Sequence, residues 1–173
     1  MAHSSKKNAE RKMLYTPEQL RRRNETRWTL VQGLLAPLQF LVFAISVVFV
    51  INYLVNGTGL FEATVSVVIK TFLLFAIMVT GAIWEKVVFG QYLFAEAFFW
   101  EDAVSMIVIA LHSAYLLALI FGFLTPTGQM WLALAAYAAY VINAAQFLIK
   151  MGAARRAQSD NATMESGLLG VAD

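Results

Sequence analysis

The sequence contains no cysteine, which excludes disulfides, thiolate nucleophiles, cysteine-held metals and any cofactor attached covalently through cysteine, while leaving the redox compartment undetermined. Charge is scarce as well. Asp, Glu, Lys and Arg make up 14% of the 173 residues against 60% hydrophobic residues, a balance outside that of soluble domains and typical of an integral membrane protein. One membrane domain fits in this length, and no second catalytic domain does.

The few charges are unevenly placed. Eight of the thirteen basic residues precede position 28, whereas the turns at 52–62 and 124–129 carry no Lys or Arg at all. Basic residues flank the cytoplasmic ends of spans, so this pattern predicts that both termini and the segment joining the second and third spans are cytoplasmic. The basic cluster Arg21, Arg22, Arg23 and Arg27 abuts an apolar run and faces lipid headgroups in this arrangement, so no nucleic-acid partner is expected.

Four apolar runs are long enough to cross a bilayer as helices, at about 28–54, 63–83, 103–123 and 130–149. The fold class expected is an all-α integral membrane protein: a four-transmembrane-helix bundle with a short N-terminal amphipathic helix and an interfacial aromatic hairpin. Residues 1–27 form the basic cytoplasmic segment, with 1–14 irregular and a short helix capped at Thr16-Pro17-Glu18-Gln19. Residues 28–150 form the membrane domain, and 151–173 are expected to be a flexible cytoplasmic tail. Pro37 interrupts the first span and frees one carbonyl inside the bundle.

The polar residues within these spans are the informative ones. Lys70 cannot face lipid cheaply, and helical spacing puts it on one stripe with Leu74, Ile77, Gly81 and Glu85. In the third span Glu101, Ser105, Val108 and His112 share a face, with His112 about 15 Å along the helix from Asp102. Gln39, Asn143 and Gln146 add polar groups to the first and fourth spans.

The segment 84–102 stands apart. It holds four of the eleven acids, Glu85, Glu96, Glu101 and Asp102, interleaved with Trp84, Phe89, Tyr92, Phe94, Phe98, Phe99 and Trp100. That is too polar to cross a bilayer and too aromatic for a solvated loop, so it belongs at the membrane surface. Carboxylates there sit in a reduced dielectric, where the protonated form is easier to populate, a setting suited to proton chemistry on an apolar substrate. An aromatic belt with solvated carboxylates is the plainer reading.

The chain resembles the 3-vinyl bacteriochlorophyllide hydratases of bacteriochlorophyll synthesis in photosynthetic bacteria. The resemblance rests on Tyr15-Thr-Pro-Glu-Gln19, Trp28-Thr-Leu-Val-Gln-Gly33, Ala36-Pro37 with Gln39-Phe40, the run from Val79 to Gly90, Phe98-Phe-Trp-Glu-Asp102 and the run from Tyr140 to Phe147. It implies addition of water to the C3 vinyl group of a magnesium chlorin, giving a 1-hydroxyethyl group, in the inner or intracytoplasmic photosynthetic membrane. It implies no redox cofactor, and neighbouring pigment-synthesis enzymes as partners besides lipid. It assigns no catalytic residue, so the site rests on chemistry.

A vinyl group conjugated to a tetrapyrrole is protonated at its terminal carbon, and the ring delocalises the cation until water adds to the internal carbon. The enzyme supplies an acid, a placed water and a base. Glu101 with Glu85, and Asp102 beside them, are the expected acids and bases, one desolvated and another kept ionised beside Lys86. A structural salt bridge from Glu85 to Lys86 or Lys70 competes with that role. Three roles are open to His112: axial ligand of the substrate magnesium, proton relay, or structural hydrogen bond. Trp84, Trp100, Asn143, Gln146 and Gln39 complete the expected substrate-binding set. A pigment carrier without catalysis would keep the bundle and His112 but have no need of the carboxylates; a small transporter is disfavoured by the lack of an inverted repeat.

Overall fold

The computed structural model describes residues 14–169; the stretch 1–13, expected to be irregular, and residues 170–173 lie outside the described residues. Five helices follow one another, and no strand occurs among the described residues. Helix α1, Pro17–Glu25, starts as its sequence dictates. Thr16 Oγ1 accepts the Gln19 N–H at 3.2 Å, Gln19 Oε1 accepts the Thr16 N–H at 2.9 Å, and Pro17 occupies a first-turn position that needs no donor. Thr26 ends α1 in an extended conformation and caps the next helix by accepting the Trp28 N–H, so a single residue turns the chain from the surface into the membrane.

The four long helices are α2, Arg27–Asn56; α3, Leu60–Phe89; α4, Phe99–Phe121; and α5, Pro126–Leu169. All four are long and apolar enough to cross a membrane. Left-handed glycines close three of them, Gly57 at φ 70°, Gly90 at φ 91° and Gly122 at φ 65°, a conformation that a Cβ would strain. Helix α2 packs along α3 and α4 along α5, giving two antiparallel hairpins that close on one another. The core centres on Val50, Val67, Tyr115, Met130, Ala133 and Tyr137, while Leu30, Phe61, Ile120, Leu148 and Ile149 point outward, as a lipid-facing surface requires.

The helices run further than the apolar runs predict. A 30-residue helix is about 45 Å long, against about 30 Å of hydrocarbon, so the ends of α3 project beyond it. The segment read as a hairpin from 84 to 102 is therefore largely helical, with only 90–98 between α3 and α4. The tail from 151, expected to be flexible, is helical to Leu169. Its start is held by packing: Met151 and Ala154 meet Leu14, Tyr15 and Leu20, and the Tyr15 hydroxyl reaches Met151 Sδ at 3.5 Å. Residues 14–20, the 90–98 loop and the fourth spanning helix thus meet at one end of the bundle.

Candidate active site at the loop end of the bundle

Three acids meet at that end because two helix termini place them there. Glu85 lies in the last turn of α3, and Glu101 and Asp102 lie in the first turn of α4; all three are buried. The loop between them turns back through Phe94, whose φ of 60° is left-handed and costs a residue with a Cβ roughly 1–2 kcal/mol. That turn aims two backbone donors inward: the Phe94 N–H donates to Asp102 Oδ2 at 2.6 Å and the Ala95 N–H to Glu85 Oε2 at 3.3 Å.

Glu85 and Asp102 also lie close enough together for their charges to interact. Two buried carboxylates so close favour the state in which one of them holds a proton. The helix ends decide which one. A carboxylate at the C-terminus of α3 faces the negative end of that helix, while one at the N-terminus of α4 faces the positive end and here also accepts the shorter backbone bond. This placement favours the proton on Glu85 over Asp102.

Glu101 is set apart from this pair by a cation that the sequence did not single out. Lys150 of α5 donates to Glu101 Oε2 and to the Ala97 carbonyl, each at 2.5 Å, and lies 5.3 Å from the centre of the Phe98 ring. A salt bridge from Glu85 to Lys86 or Lys70 does not form: Lys86 Nζ donates to the Gly90 carbonyl at 2.7 Å and Lys70 lies deep in the bundle. Lys86 caps its own helix, and the ionised acid owes its partner to the fourth spanning helix. Only the position of Lys150, level with the loop once α5 folds back on α4, could have revealed this.

Aromatic rings wall the acids. Trp84, Phe89, Phe98 and Phe147 contact in series at centroid distances of 5.7–5.8 Å, with Tyr15 stacked on Phe89 at 5.8 Å. Trp84 Nε1–H donates to Thr29 Oγ1 at 2.9 Å. Trp100, by contrast, is 71% exposed, and its ring packs on Phe99. Outside the wall lies a cleft of about 680 Å³, lined by Gln19, Phe89, Gln91, Ala95, Glu96 and Lys150 among others, a size within the usual range for small-molecule sites. Ala95 and Lys150 link it to the acids, since each is hydrogen-bonded to one of them.

The remaining polar residues descend from this end into the bundle. Asn143 Nδ2 donates to the Glu101 carbonyl at 2.8 Å, and Ser105 Oγ donates to Asn143 Oδ1 at 3.1 Å. Gln146 is half-buried, with Oε1 unpaired. Deeper lie Gln39, Lys70 and His112, all fully buried, followed by Ser46 hydrogen-bonded to Ser66 at 2.7 Å and to Tyr137 at 2.5 Å. Of the residues expected to bind substrate, then, Trp84, Asn143 and Gln146 neighbour the acids, Gln39 and His112 lie in the interior, and Trp100 stands outside. Among the described residues no group of three His, Cys, Asp or Glu side chains is arranged to hold a metal ion.

Comparison with known proteins covers the whole of this site. The profile of the 2-vinyl bacteriochlorophyllide hydratase family matches residues 15–153. The chain is 68% identical over 148 residues to a protein named 2-vinyl bacteriochlorophyllide hydratase from Cereibacter sphaeroides, covering 85% of this chain and 91% of that protein. It is 60% identical over 167 residues to a protein of the same name from Rhodobacter capsulatus, covering 96% and 95%. No solved structure matches the chain.

Proposed function

This chain belongs to the 2-vinyl bacteriochlorophyllide hydratase family, and on that premise we propose that its loop-end carboxylates carry out the hydration. It is a hydro-lyase of bacteriochlorophyll biosynthesis that adds water to the vinyl group of a bacteriochlorophyllide-type pigment. The relatives' names number that vinyl position 2, and the expectation from sequence numbered it 3; the two numerals follow two conventions for the macrocycle.

The observation that carries the assignment of roles is the meeting of two buried acids, Glu85 and Asp102, whose charges interact and so favour one proton held between them. Glu85 gives that proton to the terminal vinyl carbon, and the ring delocalises the resulting cation. Water then forms its C–O bond at the internal carbon and loses a proton to Asp102. Transfer of that proton back from Asp102 recharges Glu85, so a turnover consumes one water and no net proton, and no redox partner is needed. Glu101, ionised against Lys150, is a fixed negative charge toward which the cation is drawn. These roles reverse the emphasis expected from sequence, which put Glu101 first as the acid: Glu101 is engaged by the Lys150 ammonium at 2.5 Å, while Glu85 lies beside Asp102.

The pigment's flat ring would enter through the cleft beside Lys150, with the Trp84, Phe89 and Phe98 wall offering it an apolar face. Axial ligation of a substrate magnesium by His112 would require the ring to reach a nitrogen in the bundle interior, so the reading gives His112 no such part. The basic residues around the loop end, including Arg21, Arg22, Lys86 and Lys150, support a cytoplasmic placement of that end, and the family supports a photosynthetic membrane. Reporters fused after residue 57 and after residue 127 should then read as periplasmic and one at the C-terminus as cytoplasmic.

The direct test is incubation of the purified protein with a 3-vinyl chlorophyllide and no nucleotide or flavin. The expected product is heavier by one water and blue-shifted, because loss of the vinyl group shortens the conjugation. Pigment bound but unchanged would make the protein a carrier instead.

A further inference from the structure

Halfway through the bundle, polar atoms on three helices meet no protein partner: both amide atoms of Gln39 on α2, Lys70 Nζ on α3 and His112 Nε2 on α4. Their side chains are 1%, 0% and 0% exposed, so bulk water does not meet them either. They share one level of the fold. The Gln32–Thr80 and Ser46–Ser66 hydrogen bonds set the register of α2 against α3 and bring Lys70 level with the turn of α2 between Gln39 and Phe43. Lys70 Nζ lies 3.7 Å from the centre of the Tyr140 ring, which itself lies 5.1 Å from that of Phe43. Lys70 is close enough to His112 for their charges to interact.

The donors and acceptors of this group identify what it takes. His112 Nδ1 is 2.8 Å from the Val108 carbonyl, which can only accept, so Nδ1 carries the hydrogen and the neutral ring presents a lone pair at Nε2. Lys70 Nζ donates, and the Gln39 amide both donates and accepts. A metal ion would satisfy the imidazole but leave the hydrogens of Lys70 and of the Gln39 amide unmet. An anion would oppose the lone pair. Water both donates and accepts, so it can meet all three groups, and buried polar groups left over by a fold are commonly met this way.

We propose that Gln39, Lys70 and His112 form a water-binding site in the centre of the bundle, and that this site supplies the water consumed in the hydration. The second clause rests on the hydratase reading. Between the two lie Tyr140, over whose ring Lys70 Nζ stands, and, one turn on along α5, Asn143, which with Ser105 reaches the Glu101 carbonyl. One water leaves the site per turnover. Its oxygen bonds to the internal vinyl carbon, one hydrogen stays on that oxygen, and the other goes to Asp102, while the Glu85 proton goes to the terminal carbon.

The test has two arms. A crystal structure of the full chain grown in a lipid mesophase should show ordered water within hydrogen-bond distance of Lys70 Nζ, Gln39 and His112 Nε2; direct contacts among these side chains with no water between them would overturn the site. In the same full chain, Gln39→Leu and His112→Phe should lower the Tm non-additively, because both remove bonds to shared water, and strictly additive losses would overturn the sharing. The supply role is read from kinetics. Gln39→Leu should lower kcat several-fold with KM for the pigment unchanged; a raised KM with kcat unchanged would move these residues to pigment binding and overturn the supply role. Failure of the wild-type chain to hydrate any vinyl pigment would instead fail the hydratase reading, and the crystallographic water would remain decisive for the site.

Discussion

At the loop end of the bundle every buried acid has a polar partner, whereas in its middle three buried polar residues leave atoms without one. Glu85 meets Ala95 N–H, Asp102 meets Phe94 N–H, and Glu101 meets Lys150, whereas the Gln39 amide, Lys70 Nζ and His112 Nε2 have no hydrogen-bond partner in the protein. The contrast has a structural origin. A helix end leaves backbone N–H groups and a loop free to bend toward a side chain, while a helix middle spends its backbone on itself and offers a neighbouring side chain little to bond with. Proton-holding acids therefore sit at the ends, and polar residues placed in the middle require a ligand.

If the two regions divide the labour in this way, breaking the ends should affect chemistry far more than breaking a bystander. The largest effect belongs to Glu85→Gln. The amide can donate a hydrogen bond to the neighbouring Asp102, so folded protein should persist in the membrane, yet it has no proton to transfer and turnover should fall roughly 10²- to 10⁴-fold. Yield and rate need to be measured together, and a large loss of folded protein would make Glu85 structural.

Lys150→Met comes next. Breaking a fully buried pair costs about 3–5 kcal/mol, and with Lys150 27% exposed the loss in unfolding free energy should be nearer ~1–2 kcal/mol. Lys150→Arg should recover most of the activity, which loss of apolar packing alone would not predict. In the wild type, turnover should fall as pH rises and the Glu85–Asp102 pair loses its proton, because the acid form is the reactive one; an activity that instead rises with pH would assign the pair to base catalysis.

Smaller effects sharpen the comparison. Phe94→Gly and Phe94→Ala both remove the ring that lies 5.6 Å from Phe99, but only glycine relaxes the left-handed backbone, so Phe94→Gly should be the more stable of the two by about 0.5–1 kcal/mol. Equal stabilities would mean that the loop does not hold that conformation in solution. Smallest of all is Trp100→Ala: at 71% exposure it should change stability by no more than about 0.5 kcal/mol and leave turnover within about twofold. A larger loss would return Trp100 to the pigment site.

The sequence was a good guide wherever the bilayer imposes the answer. Apolar runs of spanning length specify four membrane helices, because lipid leaves the backbone no other way to satisfy its polar groups. Helical spacing also found the inward faces: on α3 Lys70, Leu74 and Glu85 are buried with Ile77 and Gly81 half-buried, and on α4 Glu101, Ser105, Val108 and His112 are all buried. Which charge meets which could not be read this way. Lys86 follows Glu85 in the chain and was the natural choice of partner, but adjacent helix positions point apart, and the cation that reaches the acids comes from 49 residues beyond Glu101 on another helix. Nor could spacing show that Phe94 turns left-handed and lends its N–H to Asp102, that Trp84 faces inward while Trp100 faces out, or that His112 keeps a lone pair free. Those facts depend on the rotation and register of helices that meet only after the chain has folded back on itself, and the physics of the bilayer fixes how many helices cross but not how they are turned against one another.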